Sequence, residues 1–562
     1  MRSPTILTAV LAAMALVMFV NRPTSAEDRP NIVLIMVDDM GWSNIGCYGG
    51  NVETPNLDEL AANGVRFNQF YNGARCCPTR ATLMTGLHPH QVGVGHMVVK
   101  AKPYGERWEG KRGAPYVQTT KDREGIPYPY QGWLDTSIPT LPEILKAAGY
   151  GTYMTGKWHL ANEKQETWPT QRGFDRFFGH LAGGSDFWKP NGLFRDNDPV
   201  EAEGERFYLT DTVSEEAIEL LAEHDQQNDE QPFFLYLAYN APHFPIQCMP
   251  EEFNKYRGRF KKGWDKLREE KLVRQKAMGL VPENTKLSPR PQPIPDWESL
   301  KSKKQDEMDA IMATYCGMID RVDQYIGKLV EHLRSTGEMQ NTVIFFLSDN
   351  GAEAESGPFG QFEFKKLGKY GGGGTKYGRG WATLSNSPCR DYKHFTHQGG
   401  VQTPLIVHWP AGIPGNRNGQ ILNQNGYLPD LVETCLDLGG GQRPKMLKGK
   451  AVPTADGVSL VAAMKGSDAP LHSTPVMIEH EGKCVARLGS WKLVKHYNQP
   501  WELYDIDHDF SELNDLVADY PEKAAELEKA YNEWAERCGV VDWDHAKDWS
   551  VYSNKKPKSN TK

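Results

Sequence analysis

The sequence predicts an α/β fold: a mainly parallel central sheet flanked by helices, followed by a smaller C-terminal antiparallel sheet with one helix. Three observations point there. Continuous apolar runs rich in β-branched or aromatic residues recur at 31–37, 232–239, 342–347 and 404–409, and runs without alternation are what strands buried on both faces look like. Helix starts lie between these runs, and strands alternating with helices indicate a parallel sheet covered on both sides. Beyond residue 470 the pattern changes to short, closely spaced segments broken by turn residues.

Taken in order, the first element is a leader. Arg2 precedes an apolar run over 6–20, and Thr24-Ser25-Ala26 offers small residues for cleavage, so residues 1–26 are expected to be a signal peptide and the protein to be exported, periplasmic or secreted. The run is shorter than the roughly 20 residues a spanning helix needs. No later stretch is apolar enough, so stable membrane insertion is not expected. The first strand, NIVLIMV, ends in Asp38-Asp39. Thr54-Pro55 opens a helix through 62, Thr140-Leu141-Pro142-Glu143 opens another over 144–148, and a third is expected over 211–223. The run at 342–347 ends in Ser348-Asp349-Asn350-Gly351. Ligands collect at the carboxyl ends of strands in such sheets, so the oxygen groups at 38–39 and 349–350 should converge on one edge.

Residues 98–135 and 254–305, rich in charge, proline and aromatics, are expected to be insertions over that edge. The segments VMIEH, CVARLG, WKLVKHY and WELYDI, with an amphipathic helix over 521–537, form the antiparallel unit. The expected organisation is therefore a leader at 1–26, a main domain at 27–470, a C-terminal subdomain at 471–545 and a disordered tail at 546–562.

Composition narrows the function. Hydrophobic residues at 39% and charged residues at 24% are ordinary for a globular enzyme, and a net charge of -8 leaves no broad basic surface for nucleic acid. Nine cysteines in 562 residues are too sparse for a small disulfide scaffold, although one or two bridges stay open. The glycine run at 371–374 is followed by no Gly-Lys-Ser or Gly-Lys-Thr, which makes it a flexible loop rather than a phosphate cradle.

The chemistry centres on Cys76-Cys77-Pro78-Thr79-Arg80, which continues to Thr85-Gly86. Pro78 suits the first turn of a helix, so Cys76 sits at a helix N-terminus, where N–H groups favour an anion. Alone, this leaves a structural cysteine or a thiolate nucleophile open. Asp38, Asp39, Asp349 and Asn350 offer the hard oxygen donors that Ca²⁺ or Mg²⁺ prefers, with helix caps as the alternative. If 156–159 is extended, Lys157 and His159 point to one face. His243, in Ala241-Pro242-His243-Phe244-Pro245, follows a strand and belongs on the same edge. Lys393 precedes Gly399-Gly400 and has Lys365, Lys366, Lys369 and Lys376 as rivals. Ser185 is a further polar candidate.

Cys-x-Pro-x-Arg, followed four residues later by Thr-Gly, resembles the signature of the type I, formylglycine-dependent sulfatases, arylsulfatase-like members of the alkaline-phosphatase-like superfamily. The segment from Gly149-Tyr150-Gly151-Thr152 to Gly156-Lys157-Trp158-His159 resembles their second signature, and the similarity runs from Pro30 to about Val540. The resemblance implies a sulfuric ester hydrolase acting on aryl sulfates or sulfated carbohydrates. It implies that a formylglycine-generating enzyme oxidises Cys76 to an aldehyde, whose hydrate attacks sulfur. Arg80 would hold that hydrate, Lys157 and Lys393 would bind the sulfate, His159 would assist aldehyde regeneration as a base, and His243 would protonate the leaving oxygen. Asp38, Asp39, Asp349, Asn350 and position 76 would hold Ca²⁺, with Mg²⁺ as the alternative. The nearest rival activity is a phosphodiesterase or phosphonate monoester hydrolase of the same superfamily. A rival from another class is a non-catalytic carbohydrate-binding protein, against which the complete catalytic set argues.

Overall fold

The computed structural model describes residues 29–97, 101–103, 116–118, 126–190, 192–204, 206–227, 231–361 and 363–546. The expected leader, nearly all of the expected tail and most of the insertion beginning at 98 lie outside them. Seven long strands belong to one eleven-stranded sheet: β1 (Asn31–Val37), β2 (Val65–Tyr71), β3 (Gly151–Lys157), β4 (Arg176–His180), β5 (Phe233–Ala238), β6 (Thr342–Ser348) and β7 (Gln402–His408). Their spatial order is β2-β7-β6-β1-β5-β3-β4. The five strands from β6 to β4 run parallel, as a mainly parallel sheet requires. Strand β7 is buried throughout like β6 yet runs antiparallel to both β6 and β2, because burial on two faces does not set direction.

Helices cover both faces: α1 (Pro55–Ala62), α2 (Cys76–Thr85), α3 (Leu209–Gln227), α4 (Ser302–Ser335) and α5 (Leu428–Gly439). Strand β1 shows why its sequence does not alternate. Val33, Ile35 and Val37 enter one core together with Val213 and Leu220 of α3 and Ile311 and Ile326 of α4. Ile32, Leu34 and Met36 enter the other with Ala81 and Met84 of α2 and Leu431 and Val432 of α5. Each such side chain contributes about 1.5–3 kcal/mol on burial. Helix α4, 34 residues long, is not among the elements expected above. The stretch 254–305, expected as an insertion, contains a helix at Gly263–Ala277. From that helix the buried Lys271 ammonium donates to the carbonyls of Ser43 at 2.7 Å and Leu384 at 2.8 Å.

The C-terminal sheet is antiparallel in the order β8 (Val476–His480), β9 (Lys483–Leu488), β10 (Trp491–Lys495) and β11 (Glu502–Asp505). Met477, Ala486, Leu493 and Leu503 on one face pack against Leu527, Tyr531 and Trp534 of α6 (Pro521–Cys538). Ile478, Val485, Val494 and Tyr504 on the other face join the main core, so the small sheet is clamped to the large one. All nine cysteines are buried free thiols, and none of the bridges left open above forms. Among the described residues no helix is long and apolar enough to cross a membrane.

Candidate active site

Register brings the strand ends level. Val37 faces Ser348 across the β1–β6 pair and Met36 faces Ala238 across β1–β5. Asp349 N–H then donates to Val37 O at 3.1 Å and Asp38 N–H to Ala241 O at 3.0 Å. In an extended chain adjacent side chains diverge, but the backbone at Asp39 is left-handed, with φ of 67°, and both carboxylates serve one fully buried site.

Helix α2 begins at Cys76. One turn on, Arg80 donates from Nη2 to Asp349 Oδ2 at 3.0 Å and from Nη1 to Lys157 O at 2.9 Å. Lys157 Nζ donates to Asp38 Oδ2 at 2.5 Å. Lys393 Nζ donates to both oxygens of Asp39, at 2.7 and 2.9 Å, and Asn350 Nδ2 reaches Asp39 Oδ1 at 2.7 Å. His243 Nε2 lies 3.5 Å from Asp39 Oδ2, while its Nδ1 is engaged by the Phe244 carbonyl at 2.5 Å. The extended run over 156–159 that would put Lys157 and His159 on one face does not continue past Lys157. Strand β3 ends at Lys157, and His159 has φ of 61°, so a left-handed turn rather than an extended strand brings its ring within hydrogen-bonding reach of the Cys76 side chain.

Burial and charge act against each other here. Burial raises the Asp38 carboxyl above its ordinary value despite Lys157 alongside, and Asp39 adds to the rise. Asp349 is pushed up to about 8 by burial and by the Asp38 charge. Burial opposes ionisation of Asp39 too, but Lys393 and His243 overcome it and hold that carboxyl below its usual range. Burial lowers the imidazoles of His159 and His243 to about 4 each. A hydrogen bond from Cys77, the charge of Lys157 and a hydrogen bond with His159 acidify the Cys76 thiol against the opposing effect of burial, as expected of a group placed for anionic chemistry.

The residues fit a hard divalent cation. Asp38 Oδ1 and Asn350 Oδ1 are buried without a hydrogen-bond partner, and such atoms are costly unless something binds them. Both are oxygen donors of the type Ca²⁺ and Mg²⁺ take. An added positive charge would also relieve the repulsion that raises Asp38 and Asp349.

Beside this cluster opens a pocket of about 530 Å³ whose lining includes Cys76, His243, Lys393, Arg75, Asp186 and Glu355. Ser185 and Met97 also line it. Arg75 pairs with Glu355 at 2.9 Å, and Glu355 also meets His394 Nε2 at 2.5 Å. Adjacency to Cys76 could have drawn attention to Arg75 in the sequence. Nothing there points to Asp186 or Glu355, which arrive from loops distant along the chain. Among the rival lysines, Lys376 Nζ sits 3.7 Å from the Phe244 ring centre at the pocket rim, whereas Lys365, Lys366 and Lys369 are exposed.

A sulfatase family model matches residues 30–441, and a model described as N-sulphoglucosamine sulphohydrolase, C-terminal, matches residues 391–536. An arylsulfatase of Klebsiella aerogenes is 33% identical over 81% of this chain and 96% of its own. An uncharacterised sulfatase of Schizosaccharomyces pombe is 31% identical over 91% of this chain and 94% of its own. A solved structure, Ps i-CgsB in complex with k-i-k-neocarrahexaose, superposes with a TM-score of 0.65 at 25% identity, covering 90% of this chain and 93% of that one. With a family model spanning most of the chain and full-length relatives above 30% identity, this protein belongs to the sulfatase family of enzymes, which hydrolyse sulfate esters.

Proposed function

We propose that this sulfatase acts on sulfate monoesters of carbohydrates through a formylglycine formed from Cys76. The observation that carries the reading is the convergence of Arg80, Lys157, Lys393, His159 and His243 on the start of α2, beside an open polar pocket. When formed and hydrated, the aldehyde supplies an oxygen nucleophile that a thiol or serine cannot replace through a full turnover. Asp38, Asp39, Asp349, Asn350 and position 76 would hold Ca²⁺ or Mg²⁺, which supplies neutralising charge to the sulfuryl oxygens.

The chain's own groups carry the remaining steps. Lys157 and Lys393 hold sulfate oxygens, and Arg80 orients the side chain at 76 and offsets its charge. Nδ1–H of His243 is held by the Phe244 carbonyl, so Nε2 must first take up a proton, favoured when the sulfate anion binds beside it, and Nε2 then delivers that proton to the departing oxygen. His159 accepts a proton from position 76 as the aldehyde is restored. Arg75, Asp186 and Glu355 give the pocket wall the donors and acceptors that a hydroxylated sugar needs, and the neighbour bound to k-i-k-neocarrahexaose supports a saccharide. A leader at 1–26 and action outside the cytoplasm belong to the same proposal.

The test is a rate comparison on protein co-produced with a formylglycine-generating enzyme. Aryl sulfate should be cleaved faster than a matched phosphate diester and aryl phosphonate, and a panel of sulfated saccharides should contain the best substrates. A phosphonate or diester cleaved faster than every sulfate would overturn the assignment.

A further inference from the structure

A second cluster lies at the seam between the main domain and the C-terminal sheet. Asp391 stands two residues before Lys393 in a left-handed turn, with φ of 64°. His397 precedes the single helical turn Gln398–Val401, and His496 directly follows β10. Asp391 Oδ2 lies 3.3 Å from His397 Nδ1 and 3.3 Å from His496 Nε2. The two imidazoles are stacked, with ring centres 4.4 Å apart at 26°, and one donor atom from each of the three residues falls within 4.8 Å of the others.

The two distances to Asp391 are those of a metal's ligand shell. With bonds of about 2.0–2.2 Å, neighbouring ligands of a tetrahedral Zn²⁺ stand about 3.3 Å apart. One buried atom also lacks a hydrogen-bond partner: His397 Nδ1, on a side chain with 0% exposure, approaches Asp391 Oδ2 without forming a hydrogen bond to it. A third feature fixes the histidine. His397 Nε2 meets Glu502 Oε2 at 3.0 Å, and a carboxylate behind the outer nitrogen leaves the inner one bare for a metal. The neighbouring Arg390 is turned to Glu502 at 3.2 Å, the Tyr504 hydroxyl at 3.0 Å and the Glu512 carbonyl at 3.2 Å. Its Nε lies 3.8 Å from Asp391 Oδ2.

We propose that Asp391, His397 and His496 form a transition-metal site of the Zn²⁺ type, with solvent as the fourth ligand, separate from the oxygen-rich cluster around Asp38. Two imidazoles and one carboxylate suit zinc better than calcium or magnesium. His496, with 23% of its side chain exposed, gives the ion a way in. The ion ties β10, through His496, to the loop that carries Lys393, and so steadies the lysine that holds Asp39.

The test uses the full chain, stripped with chelator and reloaded with Zn²⁺ or Co²⁺, with bound metal counted after gel filtration. The parent protein and Asp39→Asn should each retain one zinc in this site. His397→Gln and His496→Gln should lose it, and Glu502→Gln should bind about 10–100-fold more weakly. Cobalt in the parent should give visible bands of a tetrahedral ion that His496→Gln lacks. Zinc should raise the melting temperature of the parent but not of His496→Gln, which keeps the test open if His397→Gln does not fold. The proposal fails if the stripped parent takes up no zinc, or if Asp39→Asn loses the zinc while both histidine variants keep it. Those results would make the cluster a set of carboxylate–imidazolium ion pairs.

Discussion

His243 is the residue whose role the geometry restricts most sharply. Asp39 is satisfied by Lys393 and Asn350, Nδ1 of His243 is engaged by its own loop, and Nε2 lies 3.5 Å from Asp39 Oδ2 in a residue that lines the pocket. A general acid matters most when the leaving oxygen is poor. His243→Ala should therefore slow sugar or alkyl sulfates by about 10²–10⁴-fold and activated aryl sulfates such as nitrophenyl sulfate far less. Bound calcium should stay near the parent's value. Equal slowing of both substrate types, or loss of the metal, would assign His243 to sulfate or metal binding instead. The oxygen-bearing pairs at 38–39 and 349–350 were legible as a site because each follows an apolar run, and strand ends are where a parallel sheet gathers ligands. Asp186 and Glu355 were not legible, because a lone acidic residue in a loop carries no pattern until the fold brings it to Cys76.

At the scale of elements, the segment 183–186 passes over the site so closely that two glycines are required. A Cβ on Gly183 would stand 2.5 Å from His159 Nε2, and one on Gly184 would stand 3.0 Å from His243 Cε1. The group in the way at Gly183 is the end of a side chain, so Gly183→Ala should displace the His159 ring rather than unfold the protein. Misplacement by about 1 Å costs up to about 10²-fold in rate. Steady-state kinetics should show kcat falling by that order with the melting temperature nearly unchanged; the reverse pattern would mean that the segment is structural and His159 a bystander. Element type was legible wherever both faces of a strand are apolar, as in β1, β5 and β6. The direction of β7 was not, because it depends on the connection and not on composition. The left-handed turn at His159 escaped the pattern for a related reason: a histidine gives no sign of positive φ as a glycine does.

For the whole molecule, stability depends on how the C-terminal unit is held. Arg537 of α6 donates to Asp456 Oδ2 at 2.6 Å, and His88 Nε2, from the segment following α2, meets the same oxygen at 3.0 Å. Burial opposes ionisation of Asp456, but its bonds from His88 and Arg537 prevail and lower it to about 2. Burial lowers His88 itself, so Arg537 is the charge that matters at neutral pH. A depressed carboxyl stabilises fully above its unfolded value, 3.8, and the contribution is lost as pH falls toward 2. Asp456→Asn should cost about 1 kcal/mol at pH 7, since the pair is partly solvated. Thermal melts should show the gap to the parent closing between about pH 4 and pH 2. A gap independent of pH would show that shape, not charge, holds α6 in place. The two-sheet architecture was legible from the change of rhythm after residue 470. The clamp between the sheets was not, because Ile478, Val485 and Val494 read as ordinary strand residues until the opposite core is known.

The central claim is that position 76 becomes an aldehyde. Trypsin cleaves after Arg75 and Arg80, which isolates Cys76-Cys77-Pro78-Thr79-Arg80. Mass spectrometry of this peptide, from protein made with a formylglycine-generating enzyme, should show the CH2–SH group of Cys76 converted to an aldehyde, with sulfur replaced by oxygen and two hydrogens lost, while Cys77 keeps its thiol. The aldehyde fraction should scale with turnover, and folded Cys76→Ala should have none. Aldehyde at Cys77, or full activity with both thiols intact, would contradict the account.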